Sequence, residues 1–430
     1  MSFKAPRGTR DILPSEIEKW QYVEGVLRKL CREYGYSEIR TPLFEETGLF
    51  ARGVGEGTDI VEKEMYTFKD RAERSLTLRP ECTASVVRSF LEHKLFNEPQ
   101  PQKFYYIGPM FRYDRPQAGR YRQFHQFGVE AFGTSSPVLD TEVIAMSNDF
   151  FQRIGLDDLN LEINSVGCKF CRPAYNQLVL DYYKNKLEKL CTDCHIRYER
   201  NPLRILDCKN EKCLSLVQDA PSLADNLCEE CATHFSSVLS FLDSLNIRYS
   251  VNHRLVRGLD YYTKTAFEFV SAELGAQSSL GGGGRYDNLV EICGGPPTPG
   301  VGVAMGLERV ILALDKRGFD PSLYRDKRVF VALAGDDKLQ HEGLLITQEL
   351  RRAGISAELD FMGRSLKSQM KFAGKNNFSL VIILGEKELK EKAVLLRDMQ
   401  NGEQEEIKRS KLIDKIKEKL KRQGKTTEEA

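Results

Sequence analysis

Residues 111–133, FRYDRPQAGRYRQFHQFGVEAFG, restrict the possible folds more than any other stretch of the chain. Both flanks alternate. Tyr105, Ile107, Pro109 and Phe111 fall on one side of an extended chain, and Tyr106, Gly108, Met110 and Arg112 on the other. On the return flank Phe124, Gln126, Gly128 and Glu130 share a face. Residues 114–119 hold a proline and a glycine and read as a hairpin loop. An arginine-rich polar hairpin is an odd thing to build into a core strand. The pattern predicts an antiparallel pair with one face turned to a charged ligand.

Bulk composition narrows the class. At 430 residues the chain is long enough for two or three domains with sizeable cores. The formal net charge is +1, from 63 basic and 62 acidic residues, so a nucleic-acid partner needs local basic patches. No apolar run approaches the roughly 20 residues of a membrane span, and residues 1–10 do not look like a secretory signal. A cytoplasmic location and no membrane partner are expected.

Along the chain, Ile17, Trp20, Leu27, Leu30 and Tyr34 keep a helical period behind Pro14 and a Ser15–Glu18 capping box. Residues 38–42 read as a strand, 140–154 as an amphipathic helix and 159–165 as a strand. Helical stretches are expected at 174–190 and 222–245, and a strand at 263–270. A glycine-dense loop follows at 281–284, then a strand at 301–305 running into a helix at 307–316. These describe an α+β domain. The pattern breaks at 318–327. Beyond it, strands at 329–334, 356–359, 380–384 and 393–397 alternate with helices at 338–353, 365–376 and 406–422, a small α/β domain. The lysines of the last helix read as a solvated face, and no internal repeat is evident.

Eight of the eleven cysteines fall in one segment, as Cys168-x2-Cys171, Cys191-x2-Cys194, Cys208-x4-Cys213 and Cys228-x2-Cys231. In a reducing compartment such pairs point to structural zinc rather than disulfides. The first four match the spacing of a two-ribbon zinc site. A lost ancestral site and redox chemistry are the other readings. His195 and His234 adjoin the pairs, and each reads as a lone surface histidine.

Three further segments carry chemistry. Arg79-Pro80-Glu81-Cys82-Thr83-Ala84 places an arginine and a carboxylate at a helix start, where free N–H groups gather; taken alone, Glu81 reads as a plain helix-start acid. Arg257-Gly258-Leu259-Asp260-Tyr261-Tyr262 combines a cation, an acid and two phenols. SSLGGGGRYD, 278–287, lets the backbone approach a ligand closely, yet it lacks both the phosphate-loop and the dinucleotide fingerprints. Gly306-Leu307-Glu308-Arg309 puts Arg309 on the first turn of a helix after a buried strand.

These residues resemble one family. Arg112 with the loop after it is similar to motif 2 of the class II aminoacyl-tRNA synthetases, 306–309 to motif 3, and 39–42 to motif 1, the dimer-forming element. LVRGLDYYT (255–263) and SSLGGGGRYDNL (278–289) resemble the two signature segments of the histidyl-tRNA synthetase family, bacterial type. The likeness runs from Gly8 through the C-terminal α/β segment. It implies an α+β catalytic core with a six-stranded antiparallel sheet flanked by helices, at 1–325, carrying a helical cysteine-rich insertion at 168–245. An anticodon-binding α/β domain at 326–424 and a polar tail at 425–430 complete it.

The resemblance also implies substrates and roles: ATP, L-histidine and tRNA(His), with magnesium beside the leaving pyrophosphate and a homodimer through motif 1. Arg112 is implied at the α-phosphate, Arg309 near the γ-phosphate, and Arg257 as a fixed cation at the α-phosphate. Arg120 and Phe124 are implied at the adenine and phosphates. Glu81, Thr83 and Gln126 are implied at the histidine ammonium, Glu130 and Tyr262 at the imidazole, with Tyr261 and Cys82 beside them. Cys82 stands where the family usually has a small residue such as glycine, and a reactive thiol near the site is an expectation. Arg115, Gln117 and Arg122 are implied at the tRNA acceptor end. Gln126 and Glu130, four residues apart on one strand face, are ~13 Å apart along the backbone, enough to bracket a small amino acid lengthwise.

Two other functions use the same core. A non-catalytic paralogue serves as a regulatory subunit of ATP phosphoribosyltransferase, but such relatives typically lose signature residues and the C-terminal domain. A tRNA-sensing domain is normally joined to a kinase, and no kinase motif occurs here.

Overall fold

The computed structural model describes residues 3–55, 58–206, 208, 210–256, 259–321, 327–335 and 337–425. The chain divides into two compact units, Met1–Phe319 and Asp320–Ala430.

The first unit is organised by an eight-stranded sheet. Its spatial order is Ser37–Glu38, Gln102–Phe111, Gln123–Phe132, Gly300–Gly306, Ser279–Arg285, Thr263–Val270, Asn160–Ser165 and Ser250–Val251. The six inner strands pair antiparallel. The two-residue edge strands pair parallel, so the expected six-stranded antiparallel sheet is the centre of a wider one. The hairpin closes through a tight turn in which Gln117 and Arg120 exchange backbone hydrogen bonds of 3.1 and 2.9 Å. Gly119 takes φ +71° there, a left-handed geometry that favours glycine.

One face of this sheet holds the main core. Trp20, Val23, Leu27 and Leu30 from helix Pro14–Glu33, and Val143, Ile144 and Phe150 from helix Pro137–Arg153, pack on Phe127, Val129, Val301 and Val303. Helix Leu307–Lys316 adds Leu307, Val310 and Leu314. Burying such side chains contributes about 1.5–3 kcal/mol each.

Several local expectations need correction. The Ser15–Glu18 capping box does not form: the helix starts at Pro14 with Leu13 as N-cap and no side-chain cap bond. Proline suits the first helical position because it has no N–H to leave unpaired, and this carries Ser15 past the capping position. The strand expected at 38–42 stops at Glu38, because the carbonyls of Thr41 and Pro42 accept from the Arg79 guanidinium (3.1 and 3.4 Å) instead of a ladder. The glycines 281–284 are not a loop but the middle of strand Ser279–Arg285. Glycine ordinarily weakens a strand; here a Cβ at Gly283 would overlap the Gly302 carbonyl, and one at Gly281 would lie 2.5 Å from Met305 Cγ. His234 is not a surface residue. It is buried, with Nε2 3.1 Å from Asp140, which also takes the fully buried Arg285.

The second unit is a five-stranded mixed sheet in the order Ser356–Leu359, Arg328–Ala334, Leu380–Gly385, Ala393–Asp398, Gln404–Lys408. Its central strands are covered on both faces, with Val329, Val331 and Leu333 in one cluster and Phe330 and Ala332 in another. The second half of the last strand, 406–408, falls within the helix expected at 406–422. Ile407 is drawn into the sheet opposite Val394, and the helix begins only at Leu412. Of the tail at 425–430, only Lys425 lies within the described residues. No helix among the described residues is long and apolar enough to cross a membrane.

Candidate active site

The face of the eight-stranded sheet opposite the main core carries a cavity of about 500 Å³. Its floor follows from strand register. Gly302, Ala304 and Gly306 lie opposite Glu130, Gly128 and Gln126; Gly282 lies opposite Ala304, and Glu268 opposite Gly282. Side chains of one face line up across a sheet. Small residues therefore make a low floor, and Gln126, Glu130 and Glu268 rise around it. A Cβ on Gly302 would overlap the Glu130 carboxylate, and one on Gly128 the Tyr106 phenol.

At one end Glu130 is held by three hydroxyls. Thr83 Oγ1 donates to Oε1 (2.7 Å), Tyr106 donates to the same oxygen (3.3 Å), and Tyr286 donates to Oε2. Burial pushes the Glu130 carboxyl up to about 8, and nearby Glu81 adds to the rise, while the three hydroxyls pull the other way. Tyr261 and Tyr262 stand beside it, their ring centroids 4.7 Å apart. Glu81 caps helix Thr83–Glu92 by accepting from the N–H groups of Thr83 (2.7 Å) and Ala84 (3.0 Å). The helix-start reading of Glu81 is therefore real, and its carboxylate also lines the cavity. Burial raises its pKa, with those two backbone bonds opposing. Gln126 lines the cavity, and its Oε1 is buried with no partner, an acceptor that a ligand donor would satisfy.

Three arginines line the rest of the wall. Arg112 donates to the Pro80 carbonyl (2.8 Å), and its guanidinium carbon lies 5.3 Å from the Phe124 ring centroid. Arg120 pairs with Asp114 and, at 3.8 Å, with Glu64. Arg309 donates to the Ser279 carbonyl (2.8 Å). Burial lowers the pKa of Arg309, and repulsion from Arg120 and Arg112 lowers it further. Burial lowers that of Arg112 too. Guanidinium groups stay charged under such shifts, so this part of the wall presents three fixed cations.

The structure thus brings together Glu81, Thr83, Arg112, Arg120, Phe124, Gln126, Glu130, Tyr261, Tyr262 and Arg309. Arg257 lies outside the described residues. Cys82 is a correction. Its side chain is fully buried, 3.5 Å from Thr41 Oγ1, and is not part of the cavity wall. Burial pushes its thiol up to about 12, so it supplies no reactive thiolate at neutral pH. Arg115 and Gln117 are exposed on the loop. Arg122 stacks 3.9 Å over the Tyr113 ring and donates to the Asp114 carbonyl. Sequence reasoning missed Tyr106, Tyr286 and Glu268. Tyr106 shares the alternating face of Arg112, and Tyr286 lies within RYD; both signals were present.

The cysteines pair in a nested order. Cys168, Cys171, Cys228 and Cys231 form one cluster, and Cys191, Cys194, Cys208 and Cys213 the other, with the sulfurs of each within 4.8 Å of one another. The two-ribbon grouping of the first four is therefore wrong. Spacing shows which cysteines form pairs, but the fold decides which pairs meet.

Residues 328–419 match the family model described as an anticodon binding domain, which places the chain among proteins that handle tRNA. Residues 8–310 match the model described as histidyl-tRNA synthetase. The chain is 58% identical to a histidine–tRNA ligase of Desulforamulus reducens, over 96% of this chain and 98% of that one. It is 57% identical to a histidine–tRNA ligase of Pelotomaculum thermopropionicum, over 96% and 97%. The structure resembles the apo histidyl-tRNA synthetase of S. aureus at 40% identity and a TM-score of 0.82, covering 96% of this chain and 99% of that one. The chain belongs to the histidyl-tRNA synthetase family.

Proposed function

We propose that the chain is a class II histidine–tRNA ligase. A carboxylate oxygen of L-histidine attacks the α-phosphorus of ATP, the bond to the β-phosphate breaks, and pyrophosphate leaves histidyl-adenylate. A hydroxyl of the terminal ribose at the 3′ end of tRNA(His) then attacks the carbonyl carbon, forming the ester and releasing AMP and the hydroxyl proton.

Gln126 Oε1, a buried acceptor without a partner on the same strand face as Glu130, carries this reading. With Glu81 it accepts the substrate ammonium, while Glu130 and Tyr262 take the two imidazole nitrogens, a demand no apolar amino acid meets. A protonated imidazole draws the Glu130 carboxyl back toward its ionised form. Arg112, Arg120 and Arg309 face the phosphates, where fixed cations in a buried site stabilise charge as it develops, and Phe124 stacks on the adenine. Glu268 offers oxygens of the type magnesium takes and would hold an ion entering with ATP, which would supply neutralising charge for the pyrophosphate.

Arg115, Gln117 and Arg122 approach the acceptor end, and the second unit reads the anticodon. The protein works in the cytoplasm as a homodimer, and its clustered cysteines suit structural zinc. Likeness to ligases over nearly the whole chain supports this activity over the regulatory-subunit alternative. Aminoacylation of tRNA(His) across the standard amino acids tests it. Histidine alone should be charged; charging with a different amino acid, or none by folded protein, contradicts the reading.

A further inference from the structure

Each cysteine cluster has the dimensions of a closed metal site. A tetrahedral zinc ion with Zn–S bonds of ~2.3 Å sets its sulfurs about 3.8 Å apart. The observed separations are 3.7 Å for Cys168–Cys171, 3.9 Å for Cys168–Cys228 and 3.8 Å for Cys191–Cys208. No cysteine is in a disulfide. Backbone N–H groups point at the sulfurs: Phe170 at Cys168 (3.4 Å), Cys228 at Cys171 (3.1 Å) and Cys191 at Cys213 (3.2 Å). Four thiolates this close repel one another strongly unless a cation lies among them. Soft sulfur in a tetrahedral set suits zinc, and four protein ligands leave no open position for chemistry.

The residues of the outer cluster, Cys168, Cys171, Cys228 and Cys231, are tied at two points to the backbone that runs on from Tyr262 in the cavity wall. Arg172, next to Cys171, donates through Nε to the Val166 carbonyl (3.0 Å) and through Nη2 to the Tyr262 carbonyl. Glu230, between Cys228 and Cys231, pairs with Lys264 Nζ at 2.7 Å. Backbone bonds join Lys264 N–H to the Gly167 carbonyl (2.8 Å) and Val166 N–H to the Lys264 carbonyl (2.7 Å). The segment of the inner cluster reaches the same stretch through Asn201, which donates to Asp260 (2.9 Å), a pair exposed to water.

We propose that the cysteine-rich segment binds two zinc ions, one in each nested four-thiolate set, and that the outer ion fixes the backbone stretch that presents Tyr261 and Tyr262 to the cavity. Arg172 is the positioning residue that links the two. The second half of this proposal rests on the reading of the cavity as the histidine site.

Metal analysis of the full-length protein, purified without chelator, should find two zinc ions per chain. Fewer than half an equivalent of zinc, or iron in its place, overturns the metal assignment. Arg172→Ala keeps all eight thiolates, so its zinc content should stay at two. Loss of a bond from a charged donor should raise its KM for histidine in ATP–pyrophosphate exchange about tenfold, with the KM for ATP within about twofold. An unchanged histidine KM overturns the positioning role. Cys168→Ser with Cys228→Ser should reproduce that KM with one zinc; if this variant fails to fold, Arg172→Ala carries the test. Cys191→Ser with Cys208→Ser should also keep one zinc but leave the histidine KM nearly unchanged; an equal rise overturns the division between the two sites. Wild-type protein with two zinc ions and no histidine-dependent exchange would sink the functional reading while leaving the metal sites standing.

Discussion

The two faces of the eight-stranded sheet use the same strands for opposite purposes. On one, Phe127, Val129, Val301 and Val303 lock into helices Pro14–Glu33 and Pro137–Arg153. On the other, the residues between them, Gln126, Gly128, Glu130, Gly302 and Ala304, leave a hollow lined with costly groups: an orphaned amide oxygen and a carboxylate that burial drives toward neutrality. A period of two lets one strand do both. The apolar face supplies stability that offsets what the polar face forgoes, and strain of that kind gathers at functional sites.

Neighbouring residues test this contrast most sharply. Phe127→Ala should lose about 3–5 kcal/mol of stability through cavity formation, yet leave the histidine KM unchanged in the protein that remains folded. Gln126→Ala should do the reverse. Its unfolding midpoint should not fall, since the variant removes an unsatisfied group, while the histidine KM rises roughly 10- to 100-fold with the lost bond to a charged ammonium. Urea titration and exchange kinetics on both variants separate the faces; a KM effect from Phe127→Ala or a large stability loss from Gln126→Ala breaks the comparison.

A smaller effect concerns pH. The folded carboxyl of Glu130 sits at about 8, against an ordinary value of 4.5. Below the ordinary value both folded and unfolded forms are protonated, and Glu130→Gln changes no pH-linked stability. As pH rises toward about 8 the unfolded chain ionises and the folded one does not, so wild type loses stability. The advantage of Glu130→Gln in the thermal unfolding midpoint of ligand-free protein should therefore widen between pH 5 and 8 and then level off. A gap that narrows with pH contradicts the burial account. Smallest of all, Cys82→Ala should change the histidine KM less than about twofold, and iodoacetamide should spare Cys82 in native protein, because a buried thiol far above neutral pH does not ionise.

Much of this face was legible in the sequence because it rests on local alternation. Gln126 and Glu130 share a strand face by spacing alone, and strand Thr263–Val270 and helix Leu307–Lys316 fall where periodicity puts them. What stayed hidden depends on contacts distant in the chain. The hydroxyls on Glu130 come from Thr83, Tyr106 and Tyr286, and no local pattern joins them. The glycines 281–284 read as a loop because nothing in their sequence discloses how closely Gly302 and Met305 approach. The cysteine pairs were visible, but not their nesting. Residues 406–408 of strand Gln404–Lys408 read as the start of a helix because their polar neighbours hide the single buried residue, Ile407.

The central claim is that the polar face of the sheet reads histidine through Glu130. ATP–pyrophosphate exchange by Glu130→Ala, with saturating ATP and histidine near the wild-type KM, tests it most directly, with thermal unfolding as a control. The expected result is a loss of histidine-dependent exchange of at least about a hundredfold, the scale of removing a hydrogen bond to a buried charge, in a variant that still unfolds cooperatively. Exchange at the wild-type rate in a folded variant would contradict the account.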